Sequence, residues 1–262
     1  MIFKDKLERG IGLRNLRFDL KVQSMVTRRK NLLLFLVSLC ILVIFLLYYF
    51  QMPFTQSFGG DFALIYQDPG LHFHIKEYYL PFLWFVFHFF PMYIASYGTW
   101  KNHEDYGEKI LLDSKTRQIY FLSKYYSSTI MAIISSLSLL LPYFLAIVFL
   151  SFHEREWISS FGRIFLFLCL ENAVFTGQVF VLSLFLGYRL GLMLHFVYLF
   201  IVTLFPKIYL LGQASLLMRQ DFIQESGFSA FSEMIVMFVY FFVSFALILF
   251  QSSCYDFLSA KE

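Results

Sequence analysis

Six long apolar stretches constrain this chain more than any other feature of its 262 residues. An α-helix rises 1.5 Å per residue, so about 20 apolar residues are needed to cross ~30 Å of hydrocarbon. Hydropathy places such stretches at residues 31–50, 78–97, 128–150, 163–186, 190–211 and 232–250. The sequence therefore predicts an all-α polytopic membrane protein with six transmembrane helices, in a single transmembrane domain over residues 1–262.

Composition agrees with this prediction. Hydrophobic residues make up 59% of the chain and charged residues 15%, whereas soluble domains carry roughly 25% charged residues. A water-soluble core does not account for that balance. The three cysteines, Cys40, Cys169 and Cys254, are widely separated and lie in or beside apolar stretches. Their spacing indicates small hydrophobic side chains, and it fits neither a disulfide nor a metal site.

The basic residues predict the orientation of the chain. Lysine and arginine in short loops accumulate on the cytoplasmic side of a membrane. With the N-terminus inside, most of the 21 basic residues fall on that side, the exceptions being Lys76, Arg155, Arg163, Lys207 and Arg219. We therefore expect a multi-pass protein of the cell membrane with both termini cytoplasmic. Because topology accounts for the net charge of +3, no nucleic-acid partner is expected.

Residues 1–30 form a basic segment before the first apolar stretch. That stretch is too long for a signal peptide and has no small-residue cleavage site, so it is expected to remain as an anchor. Leu13, Leu16 and Leu20 fall on one helical face, with Arg14 and Arg17 away from it. This pattern favours an N-terminal interfacial amphipathic helix on the inner leaflet, and the alternative is a basic tail.

The connection at residues 100–124, WKNHEDYGEKILLDSKTRQIYFLSK, is long for a turn between two spans. Acidic residues come first, an apolar cluster of Ile110, Leu111 and Leu112 follows, and capping side chains such as Ser114 come next. The pattern predicts a helix, a break and a second helix that runs into the third span. An apolar cluster exposed to water favours a docking surface, and the alternative is a loop resting on the bilayer.

These residues resemble the corresponding loop of type-2 ABC exporter permeases. In that family a Glu and a Gly precede a Leu pair, a Ser/Thr break, an Arg and a Lys. The matching residues here are Glu104, Gly107, Glu108, Leu111, Leu112, Ser114, Arg117 and Lys124. The chain length, the basic N-terminus and the six apolar stretches are also similar to the family. One departure is that the proline often found after the Leu pair is absent, with Lys115 and Thr116 in its region.

The resemblance implies a cytoplasmic coupling helix between spans 2 and 3 that docks on a separate ABC ATPase subunit. Its docking residues would be Glu104, Tyr106, Gly107, Glu108, Ile110, Leu111, Leu112, Ser114 and Arg117. The sequence contains no phosphate-binding loop G-x-x-x-x-G-K-[ST]. ATP and Mg would therefore be bound by the partner subunit, and this chain would have no cofactor of its own. A second permease copy or a related permease would complete the membrane domain.

Polar side chains inside the fourth apolar stretch are the candidate intramembrane site. Glu171, Asn172 and Gln178 lie there, and Glu171 falls near the middle of the bilayer. A charged residue at that depth costs about 2.5–3.5 kcal/mol on insertion scales. The three residues either hold the bundle together by interhelical hydrogen bonds or contact a substrate. His88 and His195 are lone imidazoles, typical of packing residues more than of proton relays.

The predicted function is ATP-driven export of a hydrophobic or amphipathic substrate, such as a peptide, an antibiotic or a lipid-like molecule, out of a bacterial cell. The alternatives are a non-transporting scaffold or sensor that recruits a cytoplasmic partner, a polysaccharide exporter permease, and a secondary transporter. We expect no catalytic residues, since hydrolase and metalloprotease motifs are absent from the sequence. Residues 212–231 have a short helical pattern outside the membrane. The resemblance implies a re-entrant segment there, capping the outer side of a translocation path.

Overall fold

The computed structural model describes residues 2–51, 66, 80–113, 117–150, 155–221 and 226–254. Within these residues the backbone forms α-helices, turns, one 3₁₀ turn and one isolated β-bridge. The helices are α1 (Ile2–Gln51), α2 (Phe82–Asp113), α3 (Arg117–Leu150), α4 (Arg155–Leu186), α5 (Tyr188–Leu204) and α6 (Ala230–Cys254). The all-α prediction is confirmed for this part of the chain.

Four of these helices are long and apolar enough to cross a membrane. They contain the segments Leu13–Leu47, Arg117–Leu150, Glu156–Leu186 and Ala230–Ser252. Helix α5 is apolar but has only 17 residues. Large apolar side chains cover the outside of α1 and α6, among them Leu33, Ile44, Phe231, Phe242 and Phe250. Such an exterior is stable against hydrocarbon, so the helices indicate a membrane protein.

Helices α3 and α4 form the centre of the bundle. Helix α3 packs against α1, α2, α4 and α6, whereas α4 packs against α2, α3, α5 and α6. The apolar core lies along α4 and its neighbours, and its fully buried members include Trp84, Phe87, Phe161, Phe175 and Leu199. At Gly177 on α4, the helix approaches α3 so closely that an added Cβ atom would lie 2.5 Å from the Tyr125 ring. A small residue is therefore required at this crossing.

The N-terminal segment differs from its prediction in two ways. Helix α1 continues without a break through residue 30, so no separate interfacial helix precedes the first apolar stretch. The face with Leu13 is the exposed one, whereas Asn15, Asp19, Gln23 and Thr27 are buried. These four polar residues are spaced by four, so they form one stripe on the helix. Polar interhelical bonding, and not an apolar face, thus packs this part of α1 against α2 and α3.

Helix α5 ends before the predicted boundary at residue 211. Its last residue is Leu204, and Phe205 is extended, with φ −119° and ψ 104°. Pro206 explains this end, because proline disfavours the α conformation at the preceding residue and has no N–H to continue the helix. In the described residues 212–221 and 226–229, the predicted short helix at 212–231 is reduced to turns and the 3₁₀ turn Leu217–Arg219, and α6 begins at Ala230.

Candidate functional site

A buried polar cluster centred on His88 joins three elements of the bundle. His88 Nδ1 lies 2.7 Å from Asn172 Oδ1 on α4, and His88 Nε2 lies 2.9 Å from Ser215 Oγ in the segment after α5. The same Nε2 atom is 3.3 Å from Glu171 Oε2. His88, Glu171, Asn172 and Ser215 are all fully buried. The structure therefore brings the predicted Glu171 and Asn172 together with a histidine that the sequence alone suggested was a packing residue.

Asn172 fixes the proton on one nitrogen of His88. Its amide Nδ2 donates to the Phe87 carbonyl and to Ser136 Oγ, both at 2.9 Å. Its Oδ1 must therefore accept a hydrogen bond, and His88 Nδ1 supplies the N–H. Asn172 in this way ties α4 to α2 and α3. The prediction of an interhelical bond is supported at Asn172.

The hydrogen bonds of Ser215 leave His88 Nε2 open to two protonation states. Trp84 Nε1 donates to Ser215 Oγ at 2.7 Å. A neutral His88 then accepts the Ser215 hydroxyl proton at Nε2, whereas a cationic His88 donates from Nε2 towards Ser215 and Glu171. Both arrangements fit the same heavy-atom positions. The proton between His88 and Glu171 is therefore the variable part of this cluster.

Glu171 holds the segment between α5 and α6 against the bundle. Its Oε1 accepts a hydrogen bond from the Ala214 backbone N–H at 3.0 Å. Residues 211–217 of this segment are buried although their backbone is irregular. Irregular backbone can lie inside a membrane protein only where its polar groups are satisfied by other protein groups. Glu171 thus supplies an acceptor for a backbone N–H that hydrocarbon could not satisfy.

Three polar side chains satisfy the carbonyl groups of the same region. Arg219 donates to Val202 O at 3.0 Å and to Thr203 O at 2.7 Å, which are terminal carbonyls of α5. Gln213 also donates to Val202 O, and Gln220 donates to the carbonyls of Gln213 and Leu216. A cation at the C-terminal end of a helix is favoured by the helix dipole. The fully buried Arg219 therefore caps α5 from within the protein.

Glu233 of α6 lies beside Glu171. The two carboxylates line a narrow gap together with Leu211, Gly212 and Ala214. Glu233 Oε1 accepts from Gln220 Nε2 at 3.1 Å, and its Oε2 has no hydrogen-bond partner. This region therefore concentrates two acidic groups and one imidazole around one irregular segment.

Gln178 does not join the His88 cluster. It lies two turns further along α4 and is half-buried, on the wall of a groove between α4, α5 and α6. The groove has a volume of about 340 Å³. Its walls are apolar except for a few polar side chains, namely Gln178, His195, Tyr198, Tyr240 and Ser244. His195 Nε2 is buried there without a hydrogen-bond partner. The groove can thus accept an apolar molecule that carries a polar group.

A second buried polar cluster lies between the N-terminal half of α1, the C-terminal part of α2 and the first turns of α3. Lys124 Nζ lies 2.7 Å from Asp19 Oδ1, with both side chains fully buried. Asn102 Nδ2 donates to the same oxygen at 3.1 Å, and Ser123 donates to Asp19 Oδ2. Lys124, the last residue of the family-like pattern, is therefore an internal ion-pair partner here.

The predicted docking residues occupy the end of α2 and the start of α3. Glu104 and Tyr106 are exposed on α2, Gly107 is buried, and Arg117 is exposed at the first residue of α3. Trp100 Nε1 donates to Glu104 at 2.6 Å. Four docking residues lie in α2 with their side chains outside the described part of the structure, namely Glu108, Ile110, Leu111 and Leu112. Ser114 lies outside the described residues altogether.

His103 lies beside this region and stays neutral. Burial, together with the positive charge of Lys124, lowers the pKa of His103 from 6.5 to about 3. His103 Nδ1 lies 2.6 Å from the Tyr120 hydroxyl. The side chain therefore links α2 to α3 as a neutral hydrogen-bonding group.

Sequence reasoning missed several members of these clusters. Ser215 and Arg219 gave no signal, because the irregular segment after α5 brings them to these clusters. Trp84 of α2 gave none, because its hydrogen-bond partner is Ser215 of that segment. Asp19 did have a signal in the sequence, since it belongs to a set of polar residues spaced by four on one helix, namely Asn15, Asp19, Gln23 and Thr27. In the part of the chain that the structure describes, no group of three or more His, Cys, Asp or Glu side chains is placed to hold a metal ion.

Comparison with known proteins gave no match: no family model, no curated protein and no solved structure resembles the chain closely enough to be matched.

Proposed function

We propose that this chain is the membrane subunit of an ATP-driven exporter, similar to type-2 ABC exporter permeases, with ATP hydrolysed by a separate subunit. The observation that carries the proposal is the continuity of α2. This helix runs from Phe82 to Asp113 without a break. His88 of the buried cluster and the docking residues Glu104 and Tyr106 thus belong to one continuous helix, which contains Pro91.

The ends of α2 are held in different ways. Near its start, Trp84 and His88 bond to Ser215 of the irregular segment. Near its end, Asn102 bonds to Asp19 of α1. An ATPase can bias a membrane domain only through contacts that differ between two of its states. A continuous helix that is bonded near both ends would transmit such a bias from the docking region to the buried cluster.

The groove between α4, α5 and α6 supports a hydrophobic or amphipathic substrate. Its walls are mostly apolar, including Leu182, Leu194, Val243 and Leu247. Gln178 and the unpartnered Nε2 of His195 add hydrogen-bonding groups to those walls. A largely apolar pocket with a few placed polar groups is typical of small-molecule sites. A lipid-like molecule, a peptide or an antibiotic fits this chemistry better than a polysaccharide, which would need many more polar contacts.

The test is ATP turnover by an assembly purified through this chain. We expect a tagged copy, extracted in mild detergent, to co-purify with an ABC ATPase. Replacing both Leu111 and Leu112 by Asp should abolish this association, because charges would replace the apolar contact. The control is Leu13→Asp, which adds a carboxylate at an exposed leucine of α1.

Three outcomes are distinguishable in this experiment. Loss of the ATPase in the Leu111→Asp, Leu112→Asp variant with its retention in the control supports the exporter. Retention of an ATPase in both variants overturns the docking role of Leu111 and Leu112. Co-purification of a partner without ATPase activity overturns the exporter and favours the scaffold or sensor. In each case the elution volume of the variant on size exclusion reports whether the bundle is still folded.

A further inference from the structure

We infer that His88 Nε2 and Glu171 Oε2 share one proton and so form a proton-binding site inside the helical bundle. The inference goes beyond the proposed function, because it concerns an intramembrane site and needs no ATPase. It rests on the 3.3 Å contact between His88 Nε2 and Glu171 Oε2 and on the hydrogen bonds around it.

The surroundings of the pair determine how many protons it can hold. Asn172 Oδ1 accepts from Nδ1, so His88 always carries a proton on that nitrogen. Glu171 Oε1 is occupied by the Ala214 N–H. The remaining atoms, His88 Nε2 and Glu171 Oε2, face each other, and Oε2 has no hydrogen-bond partner apart from this contact. One further proton can therefore lie on either atom, and the pair titrates as a unit.

The charge of the pair depends on that proton. With the proton, the pair is neutral overall, as a neutral acid with an imidazole or as a carboxylate with an imidazolium. Without it, a carboxylate remains fully buried with no cation from His88, and an unpaired buried charge is strongly unfavourable. Intramembrane ionisable residues of this kind are typical of proton relays and ion pathways. Binding of the proton therefore keeps the buried pair neutral.

Other titratable and charged groups face the pair and set its environment. From α6, Glu233 lines the same gap as Glu171. From α5, His195 packs against the opposite side of Phe175, whose ring is 5.3 Å from His88 and 5.0 Å from His195. From the irregular segment, Arg219 is bonded to the end of α5 and to Gln213.

The segment after α5 contacts the pair directly. Ser215 bonds to His88 and Trp84, and Ala214 bonds to Glu171. Arg219 and Gln213 attach the same segment to the end of α5. The bonds of Ser215 and Ala214 fit both protonation states, so the segment keeps the pair in place whether or not the proton is bound.

Infrared spectroscopy of the purified protein tests the inference, because a protonated carboxyl group and a carboxylate give different bands. Spectra recorded as a function of pH should include a buried carboxyl band that titrates and that disappears in Glu171→Gln. Glutamine keeps an acceptor for the Ala214 N–H, so this variant should fold. His88→Gln should keep the carboxyl band but shift its titration by about one pH unit or more, since one unit corresponds to 1.36 kcal/mol of interaction.

Two controls separate Glu171 from its neighbours. Glu156→Gln, at the exposed start of α4, should leave the band unchanged. Glu233→Gln should remove a different band, and should shift the Glu171 titration without abolishing it. The inference is overturned if the spectra of wild type and Glu171→Gln titrate identically, or if His88→Gln leaves the titration where it was. Neither result would affect the ATPase test, so the two proposals fail independently.

Discussion

Asp19 and Lys124 form a fully buried ion pair, 2.7 Å between Oδ1 and Nζ, that joins the first and third helices. Asn102 of α2 donates to the same carboxylate, so three helices meet at one side chain. Removing one partner of such a pair leaves an uncompensated buried charge and costs about 3–5 kcal/mol. This contact thus joins α1, α2 and α3 through a single buried carboxylate.

Asp19→Asn should therefore destabilise the protein strongly. The expected loss is about 3–5 kcal/mol, seen as a lower unfolding midpoint in a fixed detergent. Replacing both partners, as Asp19→Leu with Lys124→Met, should recover most of the loss, because no buried charge remains. Lys101→Gln is the control, since it breaks the exposed Lys101–Asp105 pair and should have little effect. Unchanged stability of Asp19→Asn would contradict the assigned role.

His103 should make the stability depend on pH. Its pKa is about 3 in the folded protein and ordinarily near 6.5. The unfolded chain therefore binds the extra proton between these values, so stability is full above pH 6.5 and falls as the pH drops towards 3. Each unit in this window should cost about 1.4 kcal/mol. Unfolding midpoints at pH 7.5 and 5.5 would measure the loss, and His103→Gln should reduce it. An equal loss in that variant would assign the effect to other groups.

The sequence predicted the all-helical character of the described residues, because the signal for it is local. Twenty apolar residues need no partner to be recognised, and Pro206 marks a helix end by its own chemistry. Glu171 and Asn172 were likewise found from depth alone. The clusters depend on tertiary contacts. Sequence spacing therefore could not pair Ser215 with His88, or Arg219 with the end of α5. On α1, a basic and apolar pattern predicted an interfacial helix. In the structure, the hydrogen bonds of Asp19 and Gln23 pack this part of α1 against α2 and α3 instead.

The crossing of α3 and α4 gives a further prediction. Gly177→Ala would place a Cβ atom 2.5 Å from Cε2 of Tyr125, whose ring is fully buried and also packs against Phe241 at 5.5 Å. Overpacking of this kind costs about 1–3 kcal/mol. Gly162→Ala on the same helix is the control, because its Cβ would meet only Phe144, at 3.9 Å. We expect a lower unfolding midpoint for Gly177→Ala alone, and equal midpoints would show that the helices are not close here.

Arg219 should control the order of the segment between α5 and α6. Its guanidinium donates to Val202 O, Thr203 O and Gln213 Oε1, and a lysine ammonium cannot reproduce that planar arrangement. Arg219→Lys should leave buried carbonyls unsatisfied at a cost of about 1–3 kcal/mol. Hydrogen exchange of the amides in residues 205–221 should then become faster, while exchange in α3 and α4 stays as in the wild type.

Lys207→Gln is the matched control for Arg219→Lys. Lys207 is a basic residue of the same segment, but its side chain is exposed. Its substitution should leave the exchange of residues 205–221 unchanged, since no buried acceptor loses a donor. If both variants accelerate exchange equally, the effect is not specific to the buried guanidinium and the capping role of Arg219 is wrong. If only Arg219→Lys does so, the buried guanidinium is what lets irregular backbone remain inside an apolar bundle.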